Sequence, residues 1–232
     1  MRKWFIAFLI LSLSLISITT SQASIDGIRL ADFPKSSRLS HTINNNISTS
    51  VKQIVILPKQ AFNQNEAAGI INRISKLPDS LLAKIHDQGI TLKMFTGKLT
   101  DNRTASHLKG ITPRGYQNNA TWDDVPGIGG GKVVLVKIGA SEKGRGHGTI
   151  NLELHEMAHS IDHYIYDNIS EKQLFHEIWE KEHHQLFPGN SYFLYPEEYF
   201  AEAFAMYYLS QETRNLLHVK APLTFELIKS LE

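Results

Sequence analysis

Residues 151–162, NLELHEMAHSID, leave this chain the least freedom. Most of them are good helix formers, and Leu152, Leu154, Met157, Ala158 and Ile161 make an apolar stripe that asks for burial. Within the stretch, His155-Glu156-Met157-Ala158-His159 reads HExxH. Positions i and i+4 share a helix face, so both imidazoles can reach one metal ion while Glu156 stands beside the same open position. That is the geometry of a zinc peptidase. A surface helix rich in His and Glu would carry the same letters, so the weight rests on finding a third ligand.

Two His leave an open catalytic zinc one protein ligand short. A helix expected over Pro196–Leu209, with Phe200, Ala201, Phe204 and Tyr208 as its buried stripe, carries Glu197, Glu198 and Glu202. Acidic groups in a first helical turn are ordinary, because they face the positive end of the helix dipole. Glu202 lies deeper, inside Phe200–Phe204, where a carboxylate must meet a cation or a donor. Glu198 and Glu202 are i,i+4 partners. Their shared face is expected to look at the metal, one as ligand and the other accepting from the ring N–H of a ligating His.

The ends and the composition set the compartment. Met1-Arg2-Lys3, an apolar run from Trp4 to Ile18 and the small-residue site Ser21-Gln22-Ala23 describe a secretory signal peptide over 1–23. About 209 residues follow, enough for one large domain or two lobes sharing a cleft. There is no cysteine, so stability outside the cell must come from packing and bound metal, and only His, Asp and Glu remain as strong ligands. A formal net charge of +1 leaves no basic patch for nucleic acid and no polybasic membrane anchor. A protein substrate is expected.

Residues 24–50 are polar and poorly patterned, and are expected to be a flexible leader. An N-terminal α/β lobe over 51–143 is expected to begin with a strand at 51–57. Helices at 65–76 and 78–88 follow, then a strand at 90–96, giving β-α-α-β. The Gly- and aromatic-rich segment 97–131 ends in Gly129-Gly130-Gly131, read either as a mobile turn or as a flap over a peptide. The strand at 132–139 is expected to be the sheet edge that pairs with an extended substrate. A C-terminal helical lobe over 144–232 carries the HExxH helix. It adds a helix begun by a capping box at Ser170, with Leu174, Ile178 and Trp179 inward, then the Pro196 helix and one at 222–231.

Taken jointly, HEMAHSIDH, YPEEYFAEAF (195–204), TPRGY, TWDDVPG and GHGTINLELHE resemble the secreted bacterial Pro-Pro endopeptidases, which are similar to the protease domain of anthrax lethal factor. The likeness runs from about Val51 to the C-terminus. It implies an α+β, zincin-like metalloprotease fold with the active-site cleft between the two lobes, and one zinc ion per chain. It further implies Glu198 as third ligand, Glu202 behind a ligating His and Glu156 as general base. Arg114 pairs with Glu197, and Tyr116 faces the substrate. The family's catalytic tyrosine precedes the ligand Glu by seven residues, where this chain has Ser191. A one-residue shift in the loop 187–193 restores Tyr192, and Tyr195 is the next choice. The implied substrate is an extended proline-rich segment of a bacterial surface or adhesion protein, cut between two prolines. Nothing in the sequence suggests an obligate partner, so a monomer is expected. A zinc endopeptidase of general specificity, or a non-catalytic binding module on the same fold, are the alternatives.

Overall fold

The computed structural model describes residues 25–44, 46–114 and 120–232; the expected signal segment, residues 1–23, and Tyr116 lie outside them. Short apolar runs make a mixed sheet of β1 (Ile28–Arg29), β2 (Val55–Leu57), β3 (Thr91–Phe95), β4 (Gly127–Ile128) and β5 (Val133–Lys137), ordered β1-β2-β3-β5-β4. β2, β3 and β5 run parallel, with Val55 opposite Leu92 and Lys93 opposite Leu135, while β1 and β4 close the two edges antiparallel. Parallel strands need both faces covered, and Val55, Leu57, Leu92, Met94, Val134 and Val136 are all buried.

Helices α1 (Arg38–Thr42), α2 (Thr49–Ile54), α3 (Gln64–Ile74) and α4 (Asp79–Asp87) complete the first lobe. α3 starts where Asn63 Oδ1 accepts the N–H groups of Asn65 and Glu66, and it buries Ala67, Ile70, Ile71 and Ile74 at helical spacing. α4 stops at Gly89. Its φ of +68° lets the Ile90 N–H return to the Ile85 carbonyl and its own N–H to that of His86.

The second lobe holds α5 (Leu152–Tyr164), α6 (Gln173–Leu186), α7 (Pro196–Leu209), α8 (Gln211–Lys220) and α9 (Pro222–Ser230). Every residue of α7 from Tyr199 to Tyr208 is buried, as fits a helix that is apolar on nearly all sides. It packs on α5, α8 and α9, and α5 in turn lies on β5. One apolar core therefore runs through both lobes of this α+β fold, from Leu30 to Ile228, with the cleft opening between them.

A buried carboxylate locks the last helix. Glu182 of α6 accepts from the Leu223 and Thr224 N–H groups at 2.8 Å and from the Thr224 hydroxyl at 2.7 Å, capping α9 from across the lobe. Glu182→Ala strips these donors of their partner, at about 1–3 kcal/mol for each group left unpaired. A total loss of about 3 kcal/mol lowers the thermal midpoint by about 6–12 °C, which a calorimetric scan will read. An unchanged midpoint would show that water replaces the cap.

Several expectations are corrected. Of the expected leader, the described residues 25–44 and 46–50 are not of little order. They contribute β1, α1 and the start of α2, and Leu30, Leu39 and Ile47 are buried. Long-range contacts that composition does not reveal hold them: the Leu39 N–H on Gln64 Oε1 at 2.7 Å, and the Phe33 ring against Phe62. The strand expected at 51–57 is helical to Ile54, because Ser48 caps the Val51 N–H and Val51 and Ile54 share a buried face; only Val55–Leu57 is extended. β5 is interior to the sheet, and among the described residues the edge strand beside α5 is β4. Ser170 caps nothing: its hydroxyl and N–H bond to Asp162, and α6 begins at Gln173 with Phe175 inward and Leu174 exposed.

Candidate active site

α5 begins where Asn151 Oδ1 accepts the Leu154 N–H at 3.0 Å. Burial of Leu152, Leu154, Met157, Ala158 and Ile161 fixes its rotation and turns Glu156 and His159 toward a cleft of about 1060 Å³. Arg73 of α3 pairs with the buried Glu153, tying the first turn of α5 to the other lobe.

α7 crosses α5 so that Glu198 and Glu202 meet the same imidazole from two sides. His155 Nε2 lies 3.1 Å from Glu198 Oε2, His159 Nε2 lies 3.3 Å from it, and the two Nε2 atoms are 3.2 Å apart. Donors about 2.0–2.1 Å from a tetrahedral zinc stand about 3.3 Å from one another, so this triangle has the dimensions of one face of such a site. His155, His159 and Glu198 are thus compatible with one zinc ion. Behind them, Glu202 Oε2 lies 3.2 Å from His155 Nδ1 while its Oε1 accepts the Ile150 N–H at 2.8 Å. Both oxygens of this buried carboxylate are used, and a proton on Nδ1 leaves the Nε2 lone pair for a cation.

The electrostatics point the same way. Three carboxylates around two imidazoles favour a divalent cation. Among protein groups alone, burial works against charge on His155, but Glu198 and Glu202 outweigh it and push its pKa up to about 10. Glu198, despite its own burial, is held well below the usual carboxylate range by His155 and His159. Burial pushes Glu156 upward, against the pull of both imidazoles and the Gly129 N–H.

Of the two tyrosines, Tyr192 is the one at the ligands. Asn190 Oδ1 accepts its N–H at 3.0 Å and starts a 3-10 turn, Ser191–Leu194, that sets the Tyr192 ring over His155 with centroids 6.5 Å apart. Tyr195 instead lies beneath the Arg114 guanidinium, 4.1 Å from its ring centroid. Arg114 also meets Glu197 at 2.7 Å, joining the two lobes across the cleft mouth through groups that remain largely exposed. Trp122 packs on the small cluster of Phe95, Leu99 and Leu135 and also lines the cleft.

Two residues of the site, His147 and Ser160, had no counterpart in the sequence expectations, and the glycine triplet differs from its own. His147 closes the loop leading into α5: Nε2–H donates to the Ala140 carbonyl and Nδ1 accepts from the Thr149 hydroxyl, both at 2.7 Å. Burial lowers its pKa and favours this neutral form. Gly129–Gly131 is laid against α5 and is not a free flap. Ser160 is fully buried and holds that segment. A polar residue directly after the second His, on the buried side of the helix, was the signal available for it.

Residues 41–231 match the family model described as anthrax toxin lethal factor, N- and C-terminal domain. The Pro-Pro endopeptidase of Clostridioides difficile is 42% identical over 83% of this chain and 87% of its own length. That of Paenibacillus alvei is 40% identical over 77% of this chain and 83% of its own. The solved structure of the Paenibacillus alvei enzyme superposes with a TM-score of 0.76 at 38% identity, covering 79% of this chain and all of that one. A donor triangle of zinc-site dimensions, set in this fold and in a sequence this close to those enzymes, places the chain in the Pro-Pro endopeptidase family of lethal-factor-like peptidases.

Proposed function

We propose that this chain is a secreted, zinc-dependent endopeptidase that cuts extended proline-rich proteins between two prolines. The observation that carries the reading is the His155, His159 and Glu198 triangle with Glu156 beside it, facing the cleft. Zinc held there supplies Lewis-acid polarisation and acidifies water to a pKa of about 7. Glu202 fixes the His155 tautomer. Glu156 takes the proton of the attacking water and delivers it to the leaving nitrogen, which for a Pro-Pro bond becomes the secondary amine of a proline. Tyr192 donates a hydrogen bond to the developing oxyanion, a contribution of about 10²-fold or more.

The sheet edge suits such a substrate. β4 offers only two residues for pairing, and a proline brings no N–H that would need an acceptor there. Selection then falls to shape, through aromatic walls such as Tyr192, Tyr195 and Trp122. Export is supported by the signal-like residues 1–23, and a bacterial surface or adhesion protein is the proposed target of a monomeric enzyme.

Peptides differing only at the two residues flanking the bond provide the test. The Pro-Pro peptide is expected to be cut at that bond, chelation to stop cleavage, and stoichiometric zinc to restore it. Replacing either proline by alanine is expected to lower kcat/KM by at least about tenfold, the lower end of what one shape mismatch achieves. Equal cleavage of the alanine peptides would overturn the proline specificity, and cleavage that survives chelation would overturn the metal.

A further inference from the structure

Gly129-Gly130-Gly131-Lys132 joins β4 to β5, and the segment does not stand free. A Cβ on Gly129 would lie 1.9 Å from the Glu156 carbonyl oxygen, and one on Gly127 would lie 3.0 Å from Glu156 Cγ. Gly130 has a φ of +81°. Backbone therefore rests on backbone here, an approach that only glycine permits. Two side chains of α5 hold the contact: the Glu156 carboxylate accepts the Gly129 N–H, and Ser160 takes the next two residues. Ser160 Oγ accepts the Gly130 N–H at 3.0 Å and donates to the Gly131 carbonyl at 2.8 Å. Ser160 has no exposed surface and stands one residue after His159 and one helical turn after Glu156. Alanine would serve for packing at a buried helical position, so the hydroxyl answers to the glycine turn.

We propose that Ser160 is a positioning residue for peptide hydrolysis. By pinning the glycine turn to α5, it sets the height of the free β4 edge above His155, Glu156 and His159. That height fixes the depth at which a paired peptide presents its carbonyl. The inference rests on the peptidase reading. Ser160 touches no substrate and acts through β4, the last strand of the sheet, which among the described residues pairs with β5 alone. Without the hydroxyl, the Gly130 N–H and Gly131 carbonyl lose their partner and the turn lifts toward water to regain one. A displacement of about 1 Å costs up to about 10²-fold in rate, because reacting atoms must start within a narrow range of distance and angle.

The test uses the zinc-loaded full chain and a Pro-Pro peptide. In Ser160→Ala, kcat is expected to fall by about tenfold or more, with KM within about threefold and zinc per chain unchanged. Amide exchange across residues 127–132 is expected to quicken in the same variant. Ser160→Thr keeps the hydroxyl and is expected to keep kcat. Gly129→Ala drives the turn off the helix from the other side and is expected to reproduce the kcat loss, which keeps the proposal open to refutation if Ser160→Ala does not fold. A kcat within about twofold of the parent in Ser160→Ala or Gly129→Ala overturns the proposal, as does a fall in Tm with kcat per zinc-loaded molecule preserved. Failure of the unaltered chain to cut the peptide overturns the peptidase reading and this inference with it. Normal cleavage by the parent together with an unaltered variant kcat overturns the inference alone.

Discussion

Glu156→Gln is expected to leave the chain folded and loaded with one zinc while lowering kcat on a Pro-Pro peptide by about 10²- to 10⁴-fold. Glu156 stands one residue from His155 on the same helix, outside the donor triangle of His155, His159 and Glu198. Removing its charge therefore spares the metal set. Glutamine keeps the shape and both polar ends of the side chain, but it accepts no proton from water and has none to return to the leaving nitrogen. Burial already raises this carboxyl's proton affinity, which suits a base that must hold a proton between two steps. Zinc content, a thermal scan and steady-state rates on one preparation decide the matter. Near-parent turnover with full zinc would falsify the role of Glu156.

Glu198→Ala is expected to have the opposite signature: activity lost because the metal is lost. The carboxylate supplies one corner of the triangle, 3.1 and 3.3 Å from the two imidazole nitrogens, and no other acidic group joins that triangle among the described residues. The variant is expected to bind zinc more than about 10²-fold more weakly. Glu202→Gln, which leaves one oxygen for the two donors His155 Nδ1–H and Ile150 N–H but keeps the three ligands, should fall in the range of about 10–100-fold typical of a lost supporting hydrogen bond. Zinc titration against a competing chelator separates the two. Should Glu198→Ala retain stoichiometric zinc at parent affinity, the third ligand lies elsewhere and the donor set is wrong.

The two variants test what was most legible in the letters. HExxH needs only helical geometry to bring two imidazoles together, and the apolar stripe around it says which way they face. Pro196–Leu209 was readable in the same way, because a proline start and nearly continuous apolar residues leave few other structures. Glu202 declared itself as a carboxylate among aromatic and small residues that had to find a partner, and it has found His155 and the Ile150 N–H. Tyr192 was harder: spacing pointed to Ser191, and the 3-10 turn begun by Asn190 is what carries the neighbouring ring to His155.

Where the letters fell short, the deciding contacts are distant in sequence. Val51 and Ile54 are β-branched like Val55 and Ile56 after them, and a serine cap together with a buried face made their segment helical. The polar stretch before them looked like a leader because its few apolar residues are widely spaced, yet Leu39 and Ile47 each find a place in the core. A glycine triplet has no side chains to announce what it touches, and its partner Ser160 is about thirty residues further on.

By itself the sequence determined the elements whose partners lie within a few residues: the HExxH helix and its two imidazoles, the proline-started helix with its carboxylates, and the absence of disulfides. Hydrogen-bond geometry and side-chain periodicity act over one or two turns, so such features are written locally. Tertiary structure alone decided that Glu198 meets both imidazoles at the spacing a zinc ion needs, that β4 rather than β5 is the open edge, and that the glycine turn rests on α5. Each depends on which apolar surfaces come together across the fold, and burial carries no record of the order of residues along the chain.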